Sequence, residues 1–253
     1  MRKLVAAAIM AFTAQFAGQV VAADLPEYPP IIEIPDVDYG YGGSFYLRGS
    51  AAANLSWAHE VAHTDVCGAC GTWPILTKGY GYSFGAGFGY ETGDGLRVDA
   101  TLDYLDNSGL SITKSGLVGP NLAYNGTYTL RLRSTFALAN VYYDFALGGG
   151  GGGKYGMGAE GGAFGYVGAG VGVAFNNAVV TGPMPIADGN NVSLAAAGMV
   201  GLGYDFGAFV ADVGYRAVYI NSITNGAAPV GQGYSIAGAV VNEVRGSLRY
   251  RFY

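Results

Sequence analysis

The sequence predicts an all-β fold, an eight-stranded antiparallel up-and-down transmembrane β-barrel. Three observations carry that expectation. Apolar and polar residues alternate with a period of two in segment after segment from residue 43 onward. Only 12% of residues are charged, while the chain holds 44 glycines and 20 tyrosines. No apolar run approaches the ~20 residues that a spanning helix requires. A length of 253 residues fits one large all-β domain or two small ones.

The first residues read as an export signal. Arg2 and Lys3 supply its positive end, Leu4 to Phe16 its short apolar stretch, and Val21-Ala22-Ala23 the small residues before a cut. Cleavage is expected after Ala23, with Ala22 as the alternative. Gln15 and Gln19 leave the apolar stretch too short for a first transmembrane helix. Removing 1–23 takes away two positive charges and no acids, which moves the net charge from −5 to −7. An acidic balance of that size argues against a nucleic-acid partner. Residues 24–42 carry four prolines and five acids. Proline removes ladder donors, so this stretch reads as an extended periplasmic linker ahead of a barrel over 43–253.

The strands then follow in order. In the first, Phe45, Leu47, Gly49, Ala51, Ala53 and Leu55 alternate with Tyr46, Arg48, Ser50, Ala52 and Asn54. The second sets Tyr80, Tyr82, Phe84, Ala86, Phe88 and Tyr90 against a row of Gly81, Ser83, Gly85, Gly87 and Gly89. The third places Leu96, Val98, Ala100, Leu102 and Tyr104 opposite Arg97, Asp99, Thr101 and Asp103. In the fourth, Tyr128, Leu130, Leu132, Phe136 and Leu138 form the apolar side, and Thr129, Arg131, Arg133 and Thr135 the polar one. Periodicity assigns no register to 140–143. The fifth alternates Val167, Ala169, Val171 and Val173 with glycines. The sixth covers about 194–204, and the seventh about 209–219 with Asp212 and Arg216 on its polar side.

The closing strand is the most explicit. Val244, Gly246, Leu248, Tyr250 and Phe252 share one face, and Arg245, Ser247, Arg249 and Arg251 the other. Apolar residues toward lipid and arginines toward a polar lumen is the expected barrel arrangement. The connections agree: long (57–78), short (91–95), long (106–126), long (176–192), short (205–208) and long (221–237). The glycine-rich 144–162 is longer than a turn needs, and the sequence does not explain it. Aromatic residues gather near strand ends, as interfacial girdles do. A soluble barrel of the lipocalin sort would have to fill one small interior with those rings.

Eight strands enclose a space that side chains can just fill. The expected lumen set is Tyr46, Arg48, Arg97, Asp99, Asp103, Arg131, Arg133, Asp212, Arg216, Arg245, Arg249 and Arg251. Unpaired charges there would cost several kcal/mol each, so they should pair or meet water. The expectation is an ion-paired, mostly plugged interior, with long arginines from other strands filling the space above the glycine row.

Three smaller motifs remain. Cys67 and Cys70, in an exported chain, read as a short-loop disulfide. His59-Glu60-Val61-Ala62-His63 fits the H-E-x-x-H zinc pattern, which needs both imidazoles on one helical face. It falls in a loop between strands, and Val66 and Ala69 stand where a metzincin continuation needs Gly and His. No metal or cofactor is expected; His59 and His63 (with Asp65) are only weak metal candidates, and with Trp57 and Trp73 the one stretch with haem-ligand chemistry. Gly156-Met157-Gly158-Ala159-Glu160-Gly161 fits G-x-G-x-x-G but neither follows a strand nor opens a helix, so it reads as turn composition.

Several stretches together resemble the small alphaproteobacterial outer-membrane β-barrel proteins, a porin-type family that includes haemin-binding and opacity-type surface proteins. They are Ala-Asp-Leu-Pro (23–26), Gly-Ser-Phe-Tyr-Leu-Arg-Gly (43–49), Asn-Val-Tyr-Tyr-Asp-Phe (140–145), Tyr-Val-Gly-Ala-Gly-Val-Gly (166–172) and Leu-Arg-Tyr-Arg-Phe (248–252). The resemblance implies a Gram-negative outer-membrane location. Its implied partners are lipid, lipopolysaccharide, periplasmic chaperones and the outer-membrane insertion machinery. By the same resemblance, Leu248, Tyr250 and Phe252 form the insertion signal, and this chain departs from the family by adding Tyr253. Three roles fit. The favoured one is a structural, surface-exposed barrel of the cell envelope rather than an enzyme. The second is haem or host-surface binding, or narrow passage of solute. The third, a lipid-modifying enzyme, finds no nucleophile–base arrangement.

Overall fold

A computed structural model describes residues 43–63, 71–147, 162–226 and 232–252. The export signal, the linker, Asp65, Cys67, Cys70, the glycine run, the G-x-G-x-x-G match and Tyr253 lie outside the described residues. Ten strands are present: β1 (Ser44–Trp57), β2 (Glu60–His63), β3 (Thr72–Pro74), β4 (Gly79–Glu91), β5 (Leu96–Lys114), β6 (Gly126–Ala146), β7 (Gly162–Thr181), β8 (Gly189–Asp205), β9 (Phe209–Thr224) and β10 (Tyr234–Phe252). A 3-10 turn, Gly119–Tyr124, precedes β6. Eight of the strands pair antiparallel with their chain neighbours, and β10 closes on β1 with Arg249 opposite Arg48 and Phe252 opposite Phe45. Closure leaves no free edge, which a spanning sheet requires because lipid offers backbone groups no partner.

Alternation dictates the two faces. Outward stand Phe45, Leu47, Phe84, Phe88, Leu102, Val171, Leu194, Leu202, Val213 and Leu248, each at least half exposed. Large apolar side chains in that number, contiguous around a closed wall, are a hydrocarbon-facing belt. Aromatic rings border it. At the short-turn end Phe45 stacks on Phe88 at 5.5 Å, and Tyr250 packs against Phe209 and Phe252 at 5.0 and 5.2 Å. At the opposite, loop end stand Trp57, Tyr80, Tyr82 and Tyr219. The fold is an eight-stranded antiparallel transmembrane β-barrel.

The eight barrel strands run 13 to 21 residues, longer than the roughly ten that a membrane crossing takes. The excess lies at the loop end. Stretches expected as loops, 106–114, 176–181, 189–192 and 221–224, continue as paired strands. One bulge makes this extension work. At Ser108/Leu110 the β5 register shifts, and Gly109 supplies the required positive φ of 109°. Before it, odd positions such as Asp103 and Leu105 point inward; after it, even positions do, so Leu110, Ile112 and Lys114 are buried. The β2–β3 hairpin adds to the loop end of β10 through His63–Tyr234 and Ala62–Ser235. At the short-turn end, outside the belt, Thr92 and the Leu96 amide bond the Asp94 carboxylate and lower its pKa.

Candidate functional site: the barrel interior

The interior is divided along the barrel axis. Toward the short-turn end it is a lattice of charges. Arg97 meets Asp144 in a two-pronged contact, both prongs 3.0 Å, and its guanidinium lies 4.0 Å from the centroid of the Tyr142 ring. Arg48 pairs with Asp99 at 3.0 Å and donates to the Tyr142 hydroxyl at 2.8 Å. Asp99 also accepts from Tyr46 and Asn140. Asp103 bridges two arginines from across the lumen, Arg216 at 2.8 Å and Arg245 at 2.6 Å, and Arg216 in turn holds Glu243. Arg249 reaches Glu91 at 3.3 Å and lies 3.8 Å from both Asp144 and Asp212. Arg251 joins Glu91 and Asp205. Six arginines thus face seven carboxylates among the described residues, which keeps the buried charge close to balance.

Missing side chains make room for this lattice. A Cβ on Gly85 would stand 2.0 Å from an Asp103 carboxylate oxygen, and one on Gly89 2.5 Å from the Tyr46 ring. On the other wall, Gly201 and Gly214 lie under Tyr166, whose hydroxyl donates to Asp212. The space above the glycine row of β4 is therefore filled by Asp103 and Tyr46, not by arginines themselves. A void of about 10 Å³ is left beside Arg48, Arg216 and Arg245, too small to matter as a passage.

Toward the loop end the interior is apolar. Leu105, Leu132, Phe136, Ile220, Ile236 and Val241, all nearly inaccessible, pack into one cluster. The expected ion-paired interior is therefore confined to one half of the lumen. The inward residues of the strand extensions are mostly aliphatic, among them Leu110, Ile112 and Ile223, and Lys114 and the hydrogen-bonded Asn176 are the polar side chains set between them.

Arg131 and Arg133 are the second correction. Both face outward, about half exposed, and pair with Asp106 at 2.7 and 3.4 Å. Their strand carries apolar residues on both faces: Tyr128, Leu130, Leu132, Phe136 and Leu138 point into the core, while Val141, Tyr143 and Phe145 face out. Alternation alone cannot choose between two such faces. Asn140, Tyr142 and Asp144, of the same parity as Leu130, are buried in the charge lattice and fix the assignment. Pairing sets Arg131 level with Tyr80, and Arg133 level with Tyr82, at the outer aromatic border. An outward arginine costs about 2–4 kcal/mol at the bilayer midplane but about 0–1 near an interface, so this height tolerates them.

The remaining expected residues fall as follows. Tyr46, Arg48, Arg97, Asp99, Asp103, Asp212, Arg216, Arg245, Arg249 and Arg251 meet in the charge lattice. Leu248, Tyr250 and Phe252 line the outer wall at the short-turn end. His59 and His63 sit on an extended hairpin with different neighbours: His59 lies edge-on to Trp57 at 6.4 Å, and His63 Nε2 is 2.6 Å from Lys114 Nζ. Sequence reading missed Glu91, Asp144, Asp205 and Glu243 as counter-ions. Glu243 carries the inward parity of a strand already recognised, and that signal was available; Asp144 shares the parity of Leu130, the side that alternation had assigned to lipid. It also missed Lys114, whose inward position depends on the bulge.

Fold and interior together define the class: a membrane-spanning β-barrel with a charge-filled lumen. No protein-family model matches the chain, and the comparison with curated proteins finds no match either. Among solved structures it is similar to the Neisserial surface protein A, with 20% identity over 83% of this chain and 99% of that one, at a TM-score of 0.48. The outer membrane protein OprG of Pseudomonas aeruginosa is similar at 17% identity over 84% and 97%, TM-score 0.38. Ail, the attachment invasion locus protein of Yersinia pestis, is similar at 13% identity over 83% and 99%, with the same TM-score.

Proposed function

We propose that this chain is a structural barrel of the Gram-negative outer membrane, exported on a signal cut near Ala23 and exposed at the cell surface. In this reading it contributes wall to the envelope and opens no wide conduit. The observation that supports it is the lattice that crosses the lumen: each inward arginine of the short-turn half meets a carboxylate, and Asp103 ties β5 to both β9 and β10. Such contacts hold opposite walls together in a medium where an unmatched charge costs several kcal/mol. The short-turn end is periplasmic and the loop end external in this assignment.

Two measurements test the reading. Purified protein in planar bilayers should show no large, stable conductance; a steady open level of porin size sinks it. A strain lacking the protein should become more sensitive to detergent, and unchanged sensitivity removes the envelope role.

A further inference from the structure

Each of the six interior arginines has a carboxylate at 3.3 Å or closer. The interior lysine of the external half has none among the described residues. Lys114 is 2% exposed, and the bulge of β5 turns it inward. Its ammonium lies 2.6 Å from His63 Nε2, 5.1 Å from the centroid of the Tyr128 ring and 6.0 Å from that of Trp73. Imidazole and aromatic faces attract a cation, but they carry no negative charge to neutralise it. A buried ammonium without an anion is costly, and the six arginines show how this protein meets that cost elsewhere.

Beside Lys114 lies a cavity of about 40 Å³. Leu110, Ile112, Leu130 and Ile236 form its walls, and Val61 and Ile75 of the hairpin segment close over it. One singly charged donor set among aliphatic walls selects a ligand with one negative charge and an apolar remainder. A phosphate would bring a second charge that nothing in these walls matches. Space for about three water-sized bodies fits a carboxyl group and the first carbons attached to it.

We propose that this external pocket binds a small aliphatic carboxylate, its oxygens on Lys114 Nζ and its carbon chain against Leu110, Ile112, Leu130 and Ile236. The charge lattice below seals the barrel, so the pocket is a blind cup that holds its ligand rather than a way through. This adds a ligand site to the envelope role and stands independently of it.

Trp73 provides the readout. The chain has two tryptophans, and Trp57→Phe leaves Trp73 beside Lys114 as the sole emitter. The full-length variant in phosphatidylcholine nanodiscs is titrated with sodium butanoate, and in parallel with butan-1-ol, butylammonium chloride and sodium chloride. Butanoate should give a saturable change in emission that the other three do not. Adding Lys114→Met should weaken butanoate at least tenfold with an unchanged circular dichroism spectrum. Adding Ile112→Phe, which fills the cavity and keeps the lysine, should weaken it as much. Equal responses to butanoate and butan-1-ol, an equal response to chloride, no saturable response to butanoate, or undiminished binding in either variant overturns the proposal.

Discussion

The two halves of the lumen solve one packing problem with opposite chemistry. In the short-turn half, eight strands that share a small interior are cross-braced by charges; in the loop half the same strands are filled by Leu132, Phe136, Ile220 and Ile236. The difference follows from what each half is built on. Glycine rows on β4 and β8 open volume low in the barrel, and side chains of the strands paired with them, Asp103, Tyr46 and Tyr166 among them, lie over it. Higher up, branched side chains of β5, β6, β9 and β10 meet directly, and no hydrogen-bonding partner is required of them. The charged half fixes which strands face each other, because each arginine needs its carboxylate at one distance and angle. The aliphatic half adds stability without that demand, since packed hydrocarbon tolerates small shifts.

Asp103→Ala strips the shared counter-ion from Arg216 and Arg245, leaving buried charge uncompensated. A loss of about 3–5 kcal/mol is expected in guanidinium unfolding from lipid vesicles. A loss below about 1 kcal/mol would show that water already screens the lattice.

Leu132→Ala probes the other half. It should cost about 2–5 kcal/mol through lost contact and the cavity left behind. Because no charge is involved, its effect should not change between low and high salt. A strongly salt-dependent loss would mean that the two halves are coupled.

Two arginine experiments compare heights on the outer wall. Leu102→Arg places a charge on the belt opposite Ala86 and Ala137, and should cost about 2–4 kcal/mol. Removing Arg131 at the outer border by Arg131→Ala should cost no more than about 1 kcal/mol, as for an exposed pair with Asp106. Comparable values for the two would contradict the bilayer position assigned here.

Much of the barrel was legible in the sequence because a strand's two sides alternate with a period of two. The sides of the first, second, third, fifth and last spanning strands follow from it directly. In those strands one face is small or polar and the other aromatic or aliphatic, so only one orientation suits lipid outside. β6 shows the limit. With leucines on one face and Val141, Tyr143 and Phe145 on the other, local pattern has no preference, and the partners of Asn140 and Asp144 decide. The counter-ions divide in the same way. Arginines announce a polar interior, but which carboxylate each one meets depends on strands up to 160 residues away along the chain, as Arg251 and Glu91 show.

Local alternation is enough to dictate strands that close on one another, and which side of most of them meets hydrocarbon. That information is local, carried by neighbouring residues on a pleated backbone. Where the charged interior gives way to an aliphatic one, why Arg131 and Arg133 stand outside, and why Lys114 turns inward follow from the assembled barrel. Those outcomes depend on strand length, on stagger around the closed sheet and on the bulge at Gly109. They are set by contacts between segments distant in the chain, which no window of sequence contains.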